Sequence, residues 1–220
     1  MKPSCRNVQV IIWGSVLFSA VALGCANTIT VEIPPRVDLL SYETIGIVEF
    51  SSNSTEQLNQ TATQKFMSVI QGAQPGVRFL ELGPADQALK AVKRERLDVD
   101  AMKALGKKYG VSTIFTGSYE VSTIKPKINI GDDLSSVSAS ANVGISMVSK
   151  HWDTDTGATI WTKSRQGQWP VSKLRKDSGS FVSLSMSLPE DRYEQFIDEL
   201  VHAVTNDFRP HYEKRKAPKP

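Results

Sequence analysis

Two cysteines and three histidines among 220 residues leave little material for metal or redox chemistry. Cys5 and Cys25 both sit near the start of the chain, so everything after residue 25 is free of thiols. That excludes a disulfide framework, a thiolate metal site and a cysteine nucleophile from the later chain. His151, His202 and His211 do not pair at metal-ligand spacing, and no GxSxG, P-loop or GxGxxG pattern occurs. The residues therefore imply no cofactor, no metal and no catalytic group. A net charge of +3 gives no global reason to expect nucleic acid. Apolar runs are scarce too. The one long run, Val8 to Leu23, is about 16 residues broken by Gln9, Ser15 and Ser19, short of the roughly 20 that a spanning helix needs.

That run belongs to a different pattern. Met1 to Asn7 carries Lys2 and Arg6 and no acid, the apolar stretch follows, and small residues lead into Cys25, which are the three zones of a secretory signal. Ala22-Leu23-Gly24-Cys25 resembles the lipobox of bacterial lipoproteins, in which the cysteine thiol takes a diacylglycerol and becomes the new amino terminus. The other cysteine, Cys5, would leave with the signal, and the remaining chain would carry a charge of +1. The expected anchor is thus a lipid at Cys25, with palmitate-type acyl chains, and two or more chains hold a protein durably to a bilayer. Ala26 stands where an Asp commonly retains such lipoproteins in the inner membrane. By that resemblance the anchor is expected in the outer membrane, with the body facing the periplasm.

The expected fold class is α/β, a mixed sheet with a parallel βαβ first half, antiparallel hairpins in the second half, and packing helices. Residues 1–24 are the signal, 25–41 a lipidated cysteine with a leader or edge strand, 42–209 one domain and 210–220 a basic disordered tail. Thr28 to Ile33 alternates and then meets Pro34-Pro35. TIGIVEF at 44–50 has the continuous β-branched run of a strand buried on both faces. Asn53 or Ser54 offers a helix cap, and Leu58, Ala62, Phe66, Val69, Ile70 and Ala73 recur at helical spacing. A strand over 77–82, a helix from Pro84, a helix capped by Asp98 or Asp100 and stopped at Gly110, and a strand over 111–117 complete a pattern that needs parallel neighbours. The second half predicts long strands over 118–130 and 136–152, a turn at Asp155-Thr156-Gly157, a returning strand over 159–171 and a closing helix with Tyr193, Phe196, Ile197, Leu200, Val204 and Phe208 on its apolar face.

Few constellations invite a functional reading. Asp153-Thr154-Asp155-Thr156-Gly157 opens like a calcium loop, but Ser164 stands where the closing glutamate belongs, so it reads as a hairpin turn. Asp132 and Asp133 read as turn residues as well. An enzyme would have Glu120 or Asp155 and nothing convergent with either. Trp152, Trp161 and Trp169 admit two readings. In a hairpin closed at Asp155 to Gly157 the first two fall nearly opposite and could stack across strands. Facing outward, the three would form a partner-binding patch. The tail, with Lys214-Arg215-Lys216, suits either plain solvation or an anionic surface.

Three stretches in this order, YETIGIVEF at 42–50 with the helix after it, MKALGKKYGVSTIFTGSYE at 102–120 and VSKHWDTDTGATIWTKS at 148–164, resemble the CsgG-like envelope lipoprotein family. That group includes the curli secretion protein and relates in fold to the LpoB-type periplasmic lipoproteins. The resemblance implies an α/β sandwich on a lipid tether, noncatalytic, that binds an envelope protein partner in biogenesis or secretion. Its sharper form implies a homo-oligomer, an outer-membrane secretion pore of CsgG type, for which the alternating strand Val137 to Met147 is the candidate spanning element.

Overall fold

Burial of TIGIVEF on both faces sets the architecture. In the computed structural model, which describes residues 28–122, 125–130, 137–175 and 190–216, Ile45, Gly46 and Ile47 form a fully buried strand between two parallel neighbours. The strands are β1 (Thr28–Ile33), β2 (Ile45–Ile47), β3 (Ser51–Ser52), β4 (Phe79–Glu81), β5 (Thr113–Val121), β6 (Lys125–Ile130), β7 (Val137–Asp153), β8 (Thr159–Arg175) and β9 (His211–Lys216). The helices are α1 (Glu56–Ala73), α2 (Ala85–Ala91), α3 (Val99–Tyr109) and α4 (Glu190–Val204), the last running into a 3-10 turn at Thr205–Phe208. The chain is thus α/β with a mixed sheet.

The described residues fall into two compact units, one holding residues up to Val31 and from Glu213 on, the other Glu32–Tyr212. The first contains most of a two-stranded sheet made by β1 and β9. The second is built on a seven-stranded sheet in the order β4-β2-β5-β7-β6, with β3 added to β5 and β8 added to β7. β2 runs parallel to β4 and β5, as crossover helices demand, and β5, β6 and β8 all run antiparallel to β7.

Each face has its own core. On one side α1, α4 and the 3-10 turn bury Phe66, Ile70, Ile197, Val201, Val204 and Phe208 against Phe115, Tyr119, Ile145 and Met147. Five buried apolar side chains of α4, Phe196, Ile197, Leu200, Val201 and Val204, contribute on the order of 10 kcal/mol of transfer free energy before ordering costs. On the other side Ala88, Met102 and Leu105 of α2 and α3 cover Val48, Val111 and Ile114. This second layer reaches as far as Trp152.

Local chemistry explains most boundaries. Asp98 caps α3, its carboxylate accepting from the Ala101 N–H at 3.0 Å, and Gly110 ends it at φ 67°. Asn53 does not cap α1. Its side chain exchanges two hydrogen bonds with the Val121 backbone, and Thr55 takes the cap position instead. Gly117 is required by packing, since a Cβ there would lie 2.5 Å from the Phe50 ring.

Three further expectations differ from the structure. The strand expected over 118–130 is divided: β5 runs on through residue 121, the Ser122 hydroxyl accepts from the Gly144 N–H at 2.8 Å, and β6 begins at Lys125. Both pieces still pair with β7. The tail expected to be disordered from 210 forms β9 over His211–Lys216, because β1 offers it a backbone ladder. The polar loop expected over 173–179 starts later, because β8 keeps pairing with β7 as far as Arg175; its remainder lies outside the described residues, as do the turn expected at 131–133 and the helix cap expected at Ser187.

Candidate functional site

The candidate residues fall at two places, Cys25 near the start of the chain and the β7–β8 ribbon. Cys25 lies outside the described residues, as do Asp132 and Asp133. Among the described residues no helix is long and apolar enough to cross a membrane, and no group of three His, Cys, Asp or Glu side chains could hold a metal ion.

The ribbon is a pair of strands of 17 residues each, closed by the turn at Asp155 to Gly157. Asp153 Oδ1 accepts from both the Thr156 N–H and its hydroxyl, and Gly157 takes φ 72°. Those bonds hold the Asp153 carboxyl below its ordinary range. The register shifts between His151 and Trp152, so that His151 faces Trp161 and Trp152 faces Thr159. Residues directly opposite share a face, and successive residues alternate. Trp152 and Trp161 therefore lie on opposite faces of the sheet and do not stack.

Each tryptophan is half-buried and its indole N–H is engaged. Trp152 borders the α2/α3 side, donating to Thr116 Oγ1 at 2.9 Å, with Lys150 Nζ 5.5 Å from its ring centroid. Trp161 lies on the α4 side, 4.7 Å from the Phe208 ring, and donates to Asp207 Oδ2 at 3.1 Å. Trp169 stacks on Phe196 at 4.6 Å and 15° and donates to Glu199 Oε2 at 2.9 Å. The last two hold α4 and the 3-10 turn against the ribbon.

Asp207 is the electrostatic node of that contact, and nothing in the sequence singles it out. Lys163 Nζ reaches its two carboxylate oxygens at 3.0 and 2.9 Å. Burial pushes the Asp207 pKa up, but the hydrogen bonds from Lys163 and Trp161 and the charges of Lys163 and Arg36 outweigh it and leave the group below its ordinary range. Its backbone carbonyl accepts from the Val37 N–H at 3.2 Å. Beside it, the buried Gln74 side chain accepts from the Leu39 N–H and donates to the Val37 and Phe208 carbonyls at 2.8 to 2.9 Å.

The opposite face of the ribbon is open. Ser118 and Glu120 of β5, Lys150 of β7, and Thr162, Ser164, Gln166 and Gln168 of β8 are exposed on it, with Ser146 and Val148 half-buried between them. A shallow groove of about 440 Å³ runs there past Asn53, Glu120, Ser146, Gln166 and Gln168. Among the described residues it brings no acid and base together. Among the described lining residues Glu120 is the one titratable group, and Asp155 lies elsewhere, near Lys103 and Lys107 on the α3 side. The surface is suited to hydrogen bonding along an extended polar face. Along its outer edge β8 carries the exposed Arg165 and Pro170, residues that oppose pairing with another strand.

No protein-family model matches this chain. No curated protein matches it either. Solved structures do. The PelC dodecamer from Paraburkholderia phytofirmans matches at 12% identity over 83% of this chain and 97% of that one, with a TM-score of 0.40. Lipoprotein GNA1162 from Neisseria meningitidis matches at 14% identity over 74% and 98%, with a TM-score of 0.32. The LpoB C-terminal domain from Salmonella enterica matches at 9% identity over 62% and 86%, with a TM-score of 0.31. At such identities and scores the likeness extends to neither activity nor assembly.

Proposed function

We propose that this protein is a noncatalytic lipoprotein, held by acyl chains on Cys25 to the outer membrane with its body in the periplasm, which works by binding a partner protein in envelope biogenesis or secretion. The observation that carries the reading is the order of the first residues. A basic start, an apolar run and Ala22-Leu23-Gly24 lead to Cys25, and no thiol follows it. Supporting it, the open groove offers the hydrogen-bonding side chains of Asn53, Ser122, Ser146, Gln166 and Gln168 to a partner.

The partner surface we assign is the open face of the β7–β8 ribbon, with Trp152 at its border and Gln166 and Gln168 in its groove. Trp161 and Trp169 serve it from the other side by fixing the ribbon to α4. Two experiments test the two halves of the reading. Replacing Cys25 by Ser should abolish palmitate incorporation and move the protein out of the outer-membrane fraction; unchanged labelling and fractionation would refute the anchor. Photocrosslinkers at Gln166 and Gln168 in living cells should each capture one and the same envelope protein, whereas a crosslinker at Lys90 on α2 should not. Capture at Lys90 alone would place the partner on the wrong face, and membrane conductance by the purified protein would favour the pore instead.

A further inference from the structure

We propose that the β1–β9 sheet is an electrostatic foot that rests on anionic phospholipid headgroups beside the acylated Cys25; this depends on the anchor reading above. Chain geometry comes first. Only Ala26 and Asn27 separate Cys25 from Thr28, the first residue of β1, so Thr28 lies within about 11 Å of the anchored residue however those two are arranged. The partner strand shares that constraint. Three residues connect Ile33 to Val37 and three connect Asp207 to His211, and the Val37 N–H is bonded to the Asp207 carbonyl. Strands joined through such short connections run antiparallel, which sets the Lys216 end of β9 beside Thr28.

That end is basic. Lys214, Arg215 and Lys216 are all exposed. Arg215 is paired with Glu213 at 3.1 Å, while Lys214 and Lys216 form no ion pair among the described residues. Lys219 follows in the sequence, and Ile29 on β1 is 46% exposed, an apolar contribution that suits a headgroup boundary. A cation acts on an anionic leaflet only within about one Debye length, roughly 8 Å at physiological salt. Free in solution a run this short would bind lipid negligibly. Held by the anchor it stays in range at all times, and each lysine or arginine near the surface is then worth about a fivefold preference for anionic lipid. The strand ladder adds to this by holding the charges in an extended ribbon at the point where the chain meets the membrane.

The acylated full-length protein, reconstituted into phosphatidylcholine vesicles with and without phosphatidylglycerol, tests the proposal. Amine-reactive labelling read by mass spectrometry should slow several-fold at Lys214 and Lys216 when phosphatidylglycerol is present and recover in high salt, with Lys90 and Lys103 unchanged as references. The double variant Lys214→Gln, Lys216→Gln should lose more than tenfold in preference for the anionic vesicles while still floating with both. Equal labelling in the two vesicle types overturns the foot and leaves the anchor standing. Failure to float with phosphatidylcholine vesicles defeats the anchor, and the foot with it. Protection that requires added envelope protein and ignores lipid charge overturns the proposal in favour of a protein partner.

Discussion

Among the described residues neither ring nitrogen of the buried His151 has a hydrogen-bond partner, and this makes the fold sensitive to acid. The imidazole stacks on Phe115 at 4.1 Å and 8°, meets the edge of Tyr42 at 5.5 Å and lies in register with Trp161. Burial drives its pKa down from 6.5 to about 4, opposed weakly by the Asp153 charge. The folded state holds a neutral ring over a range in which the unfolded chain takes up a proton. Stability is therefore complete above about pH 6.5 and is lost as the pH falls toward 4. At about 1.4 kcal/mol per pH unit the full loss is about 3 kcal/mol, of which about 2 kcal/mol has gone by pH 5. His151→Phe keeps the ring stack and removes the proton site. Its larger ring costs about 1–3 kcal/mol of overpacking, but equally at both pH values, so that term drops out of the comparison. Urea unfolding at pH 7 and pH 5 should show the parent losing about 2 kcal/mol more than the variant between them. Parallel losses in the two proteins would refute the assignment of acid sensitivity to this ring.

Asp207→Ala strands the Lys163 ammonium and the Trp161 N–H in a mostly covered site, and thermal unfolding should report a loss of about 2 kcal/mol. Gln74→Leu leaves the Leu39 N–H and the Val37 and Phe208 carbonyls without their partner; chemical denaturation should show a loss of about 3 kcal/mol, with accelerated amide exchange at Leu39. Gly117→Ala drives a methyl against the Phe50 ring, and a loss of about 3 kcal/mol is expected by the same measurement. A normal melting temperature for this last variant would mean that Phe50 can move aside.

Local signals were the legible part of this chain. The β-branched run at 44–50 announced a strand buried on both faces, Gly110 marked the end of α3 and Asp98 was one of two caps offered for its start, and the period of Leu58, Phe66 and Ile70 marked the inner face of α1. What failed depends on register or on distant residues. A bulge at His151/Trp152 decides which tryptophan faces which strand, and no composition reveals a bulge before pairing is known. The tail from His211 reads as a solvated charge run until β1, some 180 residues earlier, supplies its ladder. Asp207 becomes a node because β8, the 3-10 turn and the segment around Val37 converge on it, and no spacing in the sequence encodes that meeting. The alternation of the strand from Val137 to Met147 was visible in the sequence, but the groove beside it needed β5 and β8 in place.

The central claim is that acyl chains on one sulfur hold the body at a membrane, where its exposed surfaces act by contact. Mass spectrometry of the amino-terminal peptide released from the membrane-extracted protein tests it most directly. The account predicts a peptide that begins at Cys25 and carries the added mass of a diacylglycerol together with a further acyl chain. A peptide that begins elsewhere, or an unmodified Cys25, would contradict it.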